Sequence, residues 1–132
     1  MKEISGINHV GLRVTDLEIT RAFYEKLGFI FLAGPLGPEP VAIMEHPSGV
    51  NVNFILNASS EGNILMDVPE KHPGCTHFAM NVTDLDAVII QLNELGIPLS
   101  GTMDLSEGPV QARAVFIRDP DLNVIELHQV NQ

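Results

Sequence analysis

The sequence predicts an α+β fold in which two βαβββ modules form a paired, curved mixed β-sheet around a cleft. Three observations support it: a segment recurs at a fixed offset, both halves show the same order of strand-like and helix-like patterns, and a polar stretch rich in Gly, Ser and Pro lies between them. We expect the first module at residues 1–57, the linker at 58–74 and the second module at 75–132. With 132 residues the chain has the length of a single domain that can bury a core.

The recurring segment starts at a histidine in both halves. His9-Val-Gly-Leu-Arg-Val-Thr-Asp-Leu17 aligns with His77-Phe-Ala-Met-Asn-Val-Thr-Asp-Leu85, and Leu27-Gly28 aligns with Leu95-Gly96 at the same offset of 68 residues. Several identities at one offset indicate that the two halves share a fold.

Each half begins with a strand and a helix. Residues 7–14 alternate in the manner of a half-buried strand. The Thr-Asp pair at 15–16 can then cap a helix whose apolar residues recur at helical spacing, and Gly28 is placed to end that helix. The Thr-Asp pair at 83–84 and Gly96 hold the corresponding places in the second half.

Three strand-like runs follow each helix, which gives each half the order βαβββ. A turn with Pro at its second position separates the last two runs, as His46-Pro47-Ser48-Gly49 in the first half and as Asp119-Pro120-Asp121-Leu122 in the second. The runs lie at 28–33, 41–46 and 50–57, and at 97–102, 112–118 and 123–129.

One helix covers only one face of a four-stranded sheet. The other, concave face needs a second module or another chain to close it, and the linker permits pairing within one chain or across two. Sheet edges that stay uncovered favour a homodimer. The concave face is where we expect a binding site.

The composition excludes several classes of function. The chain has 17 acidic and 7 basic residues and a net charge of −10, so a nucleic-acid backbone would be repelled. Its apolar runs are short and its mean hydropathy is +0.16, which argues against a membrane span. Cys75 is the only cysteine, so no internal disulfide can form and a cytoplasmic location is expected. A small molecule is the expected partner.

Three side chains from different strands are predicted to converge on the concave face. Strand alternation turns His9 and His77 away from the branched residues that pack on the helices, and turns Glu126 and His128 away from Ile125. Two neutral imidazoles and a carboxylate suit Fe, Mn, Zn, Ni or Co and leave coordination positions for a substrate. We therefore predict a divalent metal ion as cofactor, held by His9, His77 and Glu126 in a metal and substrate cleft.

Four segments resemble the vicinal oxygen chelate superfamily, which includes glyoxalase I, extradiol dioxygenases, fosfomycin-resistance proteins and bleomycin-binding proteins. The segments are 8–17 (NHVGLRVTDL), 23–29 (FYEKLGF), 76–79 (THFA) and 116–127 (FIRDPDLNVIEL). The resemblance extends over essentially the whole chain, and it implies the same fold and the same three metal ligands.

The resemblance also implies roles for residues around the metal. Glyoxalases and epimerases have a fourth ligand, and the alignment of the two Pro turns puts Asn53 in its place. Three ligands are the pattern of extradiol dioxygenases and fosfomycin-resistance enzymes. Asn53 and Arg13 are expected to bind substrate, although an internal salt bridge for Arg13 has equal weight. Glu126 and His128 are the expected catalytic residues, with His46 as an alternative acid–base group.

These features together predict a divalent-metal-dependent enzyme that chelates a small oxygen-bearing organic substrate, with a dioxygenase-like ligand set. A glyoxalase- or epimerase-type lyase or isomerase is one alternative. Ring-cleaving members also use a tyrosine near the metal, whereas the strand before Glu126 carries Phe116. A non-catalytic, bleomycin-type drug-binding protein is the other alternative: the net charge favours it, and the metal triad disfavours it.

Overall fold

The computed structural model describes residues 1–59 and 61–131, and the chain divides into two compact units, Met1–Gly62 and Asn63–Gln132. Each unit contains one helix and one four-stranded mixed sheet in the order βαβββ, so the predicted α+β fold of two such modules is confirmed. Ser60, in the predicted linker, and Gln132, at the end of the second predicted module, lie outside the described residues.

The first unit places its first strand beside its last. The sheet order is β1-β4-β3-β2, in which β1 and β4 are parallel and the other pairs are antiparallel. The elements are β1 (Val10–Arg13), α1 (Leu17–Lys26), β2 (Ile30–Leu36), β3 (Val41–Glu45) and β4 (Asn51–Ile55).

The second unit repeats this topology with the order β5-β8-β7-β6. The strand β5 is parallel to β8, and the remaining pairs are antiparallel. The elements are β5 (Phe78–Asn81), α2 (Leu85–Glu94), β6 (Met103–Asp104), β7 (Ala112–Arg118) and β8 (Val124–Val130).

Both helices begin and end where the sequence predicts. The Asp16 carboxylate accepts a hydrogen bond from Ile19 N at 2.9 Å, and the Asp84 carboxylate accepts one from Ala87 N at 3.0 Å. Such caps satisfy a backbone N–H that has no partner within the helix. Gly28 and Gly96 follow the helices with φ angles of 93° and 71°, a conformation that glycine adopts without steric cost.

The prediction of a strand at 97–102 is wrong in position. Leu99 forms only an isolated bridge with Ile117, and the regular strand β6 is two residues long and starts at Met103. Pro98 has no N–H to donate, and the Ser100 hydroxyl accepts the hydrogen bond of Phe116 N at 2.9 Å in place of a backbone carbonyl. These two side chains interrupt the ladder, which leaves an irregular segment beside β7.

The core of each unit lies between its helix and one face of its sheet. In the first unit the ring of Tyr24 is fully buried between helix and sheet and lies 5.5 Å from the ring of Phe29 and 4.8 Å from that of Phe54. In the second unit Leu92 and Ile125 are among the buried residues.

A salt bridge joins helix and sheet in the second unit. Arg113 Nη2 lies 2.9 Å from Asp86 Oδ1, and this hydrogen bond raises the pKa of Arg113 above its ordinary value. Within the described ranges, neither helix is long and apolar enough to span a bilayer.

Candidate metal and substrate site

Alternation along β8 separates a buried apolar face from a polar face. Ile125 and Leu127 belong to the apolar face, and Gln129, on the same face, accepts a hydrogen bond from Leu85 N at the start of α2 at 2.6 Å. This face is therefore the one that packs on the helix, and Glu126 and His128 lie on the opposite face. The predicted orientation of both side chains is confirmed.

The Glu126 carboxylate lies between two histidine rings. Its Oε1 is 3.4 Å from His77 Nε2, and its Oε2 is 2.6 Å from His128 Nδ1. Glu126 is only 9% exposed. A carboxylate at this depth needs partners, and each of its two oxygens has one.

The neighbours of His77 contact its Nδ1 atom and its ring, and its Nε2 atom faces Glu126. Its Nδ1 lies 2.8 Å from Thr76 Oγ1, and its ring meets the ring of Phe116 edge-on with centroids 5.5 Å apart. Phe116 is also the register partner of Glu126 across β7 and β8. Phe116 therefore lies beside both His77 and Glu126.

The separation of His77 Nε2 and Glu126 Oε1 fits two ligands of one ion. Two donors that are each about 2.1 Å from a metal at a tetrahedral angle lie about 3.4 Å apart, and the observed separation is 3.4 Å. In the described parts of the chain, no group of three or more His, Cys, Asp or Glu side chains that could hold a metal ion is present. The second unit thus supplies a pair of donors, and the third predicted ligand, His9, belongs to the first unit.

Two predicted residues of the first unit, Arg13 and Asn53, share the sheet face that is opposite its helix. Asn53 pairs with Gly11 and with Ile43, between the buried neighbours Val52 and Phe54. His9 immediately precedes β1, two residues before Gly11, and its Nδ1 lies 2.8 Å from Asn8 Oδ1. His9 is exposed within the chain.

Arg13 takes part in an internal network. Its Nε donates to Asn57 Oδ1 at 2.9 Å, and its Nη2 lies 3.9 Å from Glu39 Oε1. Asn57 in turn donates to Glu39 Oε1 at 2.7 Å. The salt bridge that was one of the two expectations for Arg13 is therefore present, between two side chains that are about 60% exposed.

His46 is a turn residue. Its Nδ1 accepts a hydrogen bond from Ser48 N at 3.1 Å, and its ring contacts Phe29 at 5.3 Å. These contacts give His46 a structural role at the start of the Pro turn, and this role requires no catalytic function.

The sequence did not predict an apolar cleft of about 730 Å³ in the second unit. Phe116 and Val124 belong to its wall and lie on the same sheet face as Glu126, whereas His77, Glu126 and His128 do not line it. Its other walls come from the irregular segment that replaces the expected strand and from the turn before β8. These walls include Leu99, Met103, Leu122 and Arg118. Alternation along β7, which turns Phe116 and Arg118 toward the Glu126 side, is the one signal that could have revealed part of it.

Comparison with known proteins supplies the context for this site. The family model of the Glyoxalase/Bleomycin resistance protein/Dioxygenase superfamily matches residues 6–127. The chain is 30% identical, over 96% of its length and 99% of the relative's, to a protein of Cereibacter sphaeroides named ethylmalonyl-CoA/methylmalonyl-CoA epimerase. It is 26% identical to glyoxylase I 4 of Arabidopsis thaliana, over 94% of this chain and 70% of that protein.

Solved structures agree on the fold. A glyoxylase/bleomycin resistance protein/dioxygenase domain from Frankia sp. EAN1pec superposes with a TM-score of 0.76 at 21% identity, over 98% of this chain and all of that one. At this identity the similarity concerns the fold alone.

Proposed function

The chain belongs to the glyoxalase/bleomycin resistance protein/dioxygenase superfamily, and from this premise we propose that it is a divalent-metal-dependent enzyme acting on a small oxygen-bearing molecule. The observation that carries the proposal is the Glu126 carboxylate, buried between His77 and His128 with one oxygen toward each ring. His9, His77 and Glu126 would hold the ion. Arg13 and Asn53 would contact the substrate.

We further propose proton transfer, as in an isomerase or epimerase, as the reaction. The relative with the name of an epimerase is 30% identical over nearly the full length of both chains. The Glu126–His128 pair also has the composition of a general acid–base group, in which a carboxylate orients an imidazole.

In this mechanism the side chains of the second unit move the proton. When bound, the metal would polarise a substrate oxygen and make the neighbouring C–H bond more acidic. A neutral His128 that donates from Nδ1 to Glu126 Oε2 has its lone pair on Nε2. That Nε2 would take the proton and return it, while Glu126 stabilises the imidazolium formed in between.

Metal analysis tests the first part of the proposal. Protein purified without added ions should contain about one divalent ion per chain, and the His77→Ala variant should contain less than about a tenth of that amount. His72→Ala is a matched control, because His72 is an exposed histidine of the same unit. A metal-free wild-type protein that also fails to take up added ions would support a drug-binding protein and contradict the enzyme.

Isotope exchange tests the reaction. Metal-loaded protein in D2O under nitrogen should exchange the α-proton of at least one member of a panel of 2-hydroxy and 2-oxo carboxylic acids, as followed by NMR. The His128→Phe variant should lose this exchange.

Dioxygenation is the second candidate, because the predicted ligands are two histidines and one carboxylate and Asn53 replaces a fourth charged ligand. Oxygen uptake with catechols by the iron-loaded protein, without α-proton exchange in the acids, would favour dioxygenation over proton transfer.

A further inference from the structure

The residue that precedes each of the two predicted histidine ligands contacts the histidine ring in the same way. Asn8 Oδ1 lies 2.8 Å from His9 Nδ1 in the first unit, and Thr76 Oγ1 lies 2.8 Å from His77 Nδ1 in the second. Asn8 and Thr76 stand at the same offset of 68 residues as the two histidines. The two halves therefore share a side-chain oxygen at Nδ1, although the amino acids that supply it differ.

Such a contact bears on which nitrogen of a neutral imidazole can bind a metal. A neutral ring carries one proton, on Nδ1 or on Nε2, and the other nitrogen has the lone pair. A histidine ligand binds its metal through the lone pair and donates its remaining N–H to a neighbouring group. The partner of Nδ1 therefore influences whether Nε2 is available to an ion.

Asn8 favours a single tautomer of His9. An amide oxygen accepts hydrogen bonds and cannot donate them, so the contact of Asn8 Oδ1 with His9 Nδ1 requires a proton on Nδ1. The lone pair of His9 then lies on Nε2. The Asn8 carbonyl accepts a hydrogen bond from Asn51 Nδ2 at 3.4 Å, and β1 begins two residues after Asn8. Asn8 thus prepares His9 as an Nε2 donor before an ion binds.

Thr76 can hold either tautomer of His77, because a hydroxyl both donates and accepts. His77 Nε2 faces Glu126 Oε1 at 3.4 Å, and an ionised carboxylate only accepts. Without an ion, a proton on Nε2 is therefore favoured, and the Thr76 hydroxyl donates to Nδ1. When Nε2 binds an ion, the proton on Nε2 leaves to solvent and another proton from solvent binds Nδ1, which then donates to Thr76 Oγ1. The ring stays neutral, and its contact with Thr76 is kept.

The corresponding contact of His46 has the opposite polarity. Its Nδ1 accepts a hydrogen bond from Ser48 N at 3.1 Å, so the proton of its neutral ring lies on Nε2. A contact at Nδ1 therefore does not by itself make Nε2 a metal donor, and the acceptor oxygen of Asn8 is what distinguishes His9 from His46.

We propose that Asn8 and Thr76 are positioning residues of the metal site. Asn8 fixes His9 in the tautomer that has its lone pair on Nε2, and Thr76 holds the ring of His77 while its tautomer changes as the ion binds. Neither residue is itself a ligand. This inference rests on the proposed function for the ion, and on the two contacts at Nδ1 for the roles of Asn8 and Thr76.

The tautomers are tested by ¹⁵N NMR in mildly alkaline solution, where histidine rings are neutral. In the metal-free protein we expect the proton on Nδ1 in His9 and on Nε2 in His77, with His46 as an internal reference for the Nε2 form. An equimolar amount of Zn²⁺ should move the proton of His77 to Nδ1 and leave His9 unchanged. A proton on Nε2 of His9, or a His77 tautomer that is the same with and without Zn²⁺, would overturn the proposal.

Variants test the effect on affinity. Asn8→Leu and Thr76→Val remove the side-chain oxygen with little change in volume, and each should weaken Mn²⁺ binding about 10–100-fold in calorimetry. Asn8→Thr and Thr76→Ser keep an oxygen and should retain tight binding. Thr102→Val makes the same change at an exposed position of the second unit and should bind like the wild type. Asn8→Leu should also lose the tautomer preference of His9 in the metal-free protein.

The readouts separate these roles from a structural one and from the proposed function. A structural role alone would lower the urea midpoint of the variants and leave the tautomers and the affinity unchanged, and that result would overturn the proposal. A wild-type protein that binds no divalent ion contradicts the proposed function. A wild-type protein that binds an ion, together with Asn8→Leu and Thr76→Val variants that bind it equally well, contradicts the positioning roles alone.

Discussion

The Nδ1 atom of His128 lies 2.6 Å from Oε2 of Glu126, on the same strand and the same sheet face. This contact uses one oxygen of the carboxylate. The other oxygen, Oε1, faces His77 Nε2 at a distance of 3.4 Å. Hydrogen bonds of this kind orient a ligand before a metal arrives, and such partners commonly tune its affinity. We therefore propose that His128 has a positioning role in addition to the proposed proton transfer.

Replacement of His128 should separate these two roles. We expect His128→Phe to weaken Mn²⁺ binding about 10–100-fold, because Oε2 loses its partner and the carboxylate its orientation. The His128→Asn variant, whose amide can donate to Oε2, should bind Mn²⁺ nearly as tightly as the wild type but lose α-proton exchange. Isothermal titration calorimetry measures the affinities, and an unchanged affinity in the phenylalanine variant would refute the positioning role.

Glu126→Gln should remove the charge that attracts the ion while keeping the shape of the side chain. We expect the affinity for Mn²⁺ to fall by at least about 100-fold, more than for a residue that only supports a ligand. Glu94→Gln removes the same charge from an exposed position at the end of α2 and is the control. If both variants lose affinity equally, net charge rather than coordination determines metal binding.

The fold and the placement of Glu126 and His128 on one sheet face were predictable because both follow from local patterns. The recurring His and Thr-Asp-Leu segments predicted two modules, and alternation along β8 placed Glu126 and His128 on one face. The alignment of the Pro turns was correct as well, and it identified Leu122 as the equivalent of Gly49.

The apolar cleft was not predictable for a physical reason. Its walls depend on Ser100, whose hydroxyl replaces a backbone acceptor of the sheet, and on an ion pair between Arg118 and Asp67, which are distant in sequence. Asp67 lies in the predicted linker, where composition indicates only a polar loop. Contacts between irregular segments leave no periodic signal, so only the structure reveals them.

Gly34→Ala should destabilise the first unit through a steric clash. A Cβ built at Gly34 would lie 2.5 Å from Ala42 Cα and 2.7 Å from Val41 O, and the φ of Gly34 is 127°. We expect the free energy of unfolding to fall by about 2–4 kcal/mol. In Gly101→Ala the new Cβ meets no atom within 4 Å, so that control should change by less than about 0.5 kcal/mol. Equal urea midpoints for both variants would contradict this prediction, because they would show that β2 and β3 can move apart at Gly34 without loss of stability.

Gln129→Ala should leave a buried backbone donor without its acceptor. Leu85 is fully buried at the start of α2, and its N donates to Gln129 Oε1 at 2.6 Å. We expect the variant to lose about 1–3 kcal/mol of unfolding free energy, the cost of an unsatisfied buried N–H. Gln91→Ala is the control, because Gln91 is exposed and donates only to Ala87 O at 3.3 Å on its own helix. Urea unfolding measures the free energy of unfolding of both variants. A Gln129 variant as stable as the control would contradict the prediction. It would mean that water replaces the lost acceptor and that this end of α2 is more accessible to water than its burial indicates.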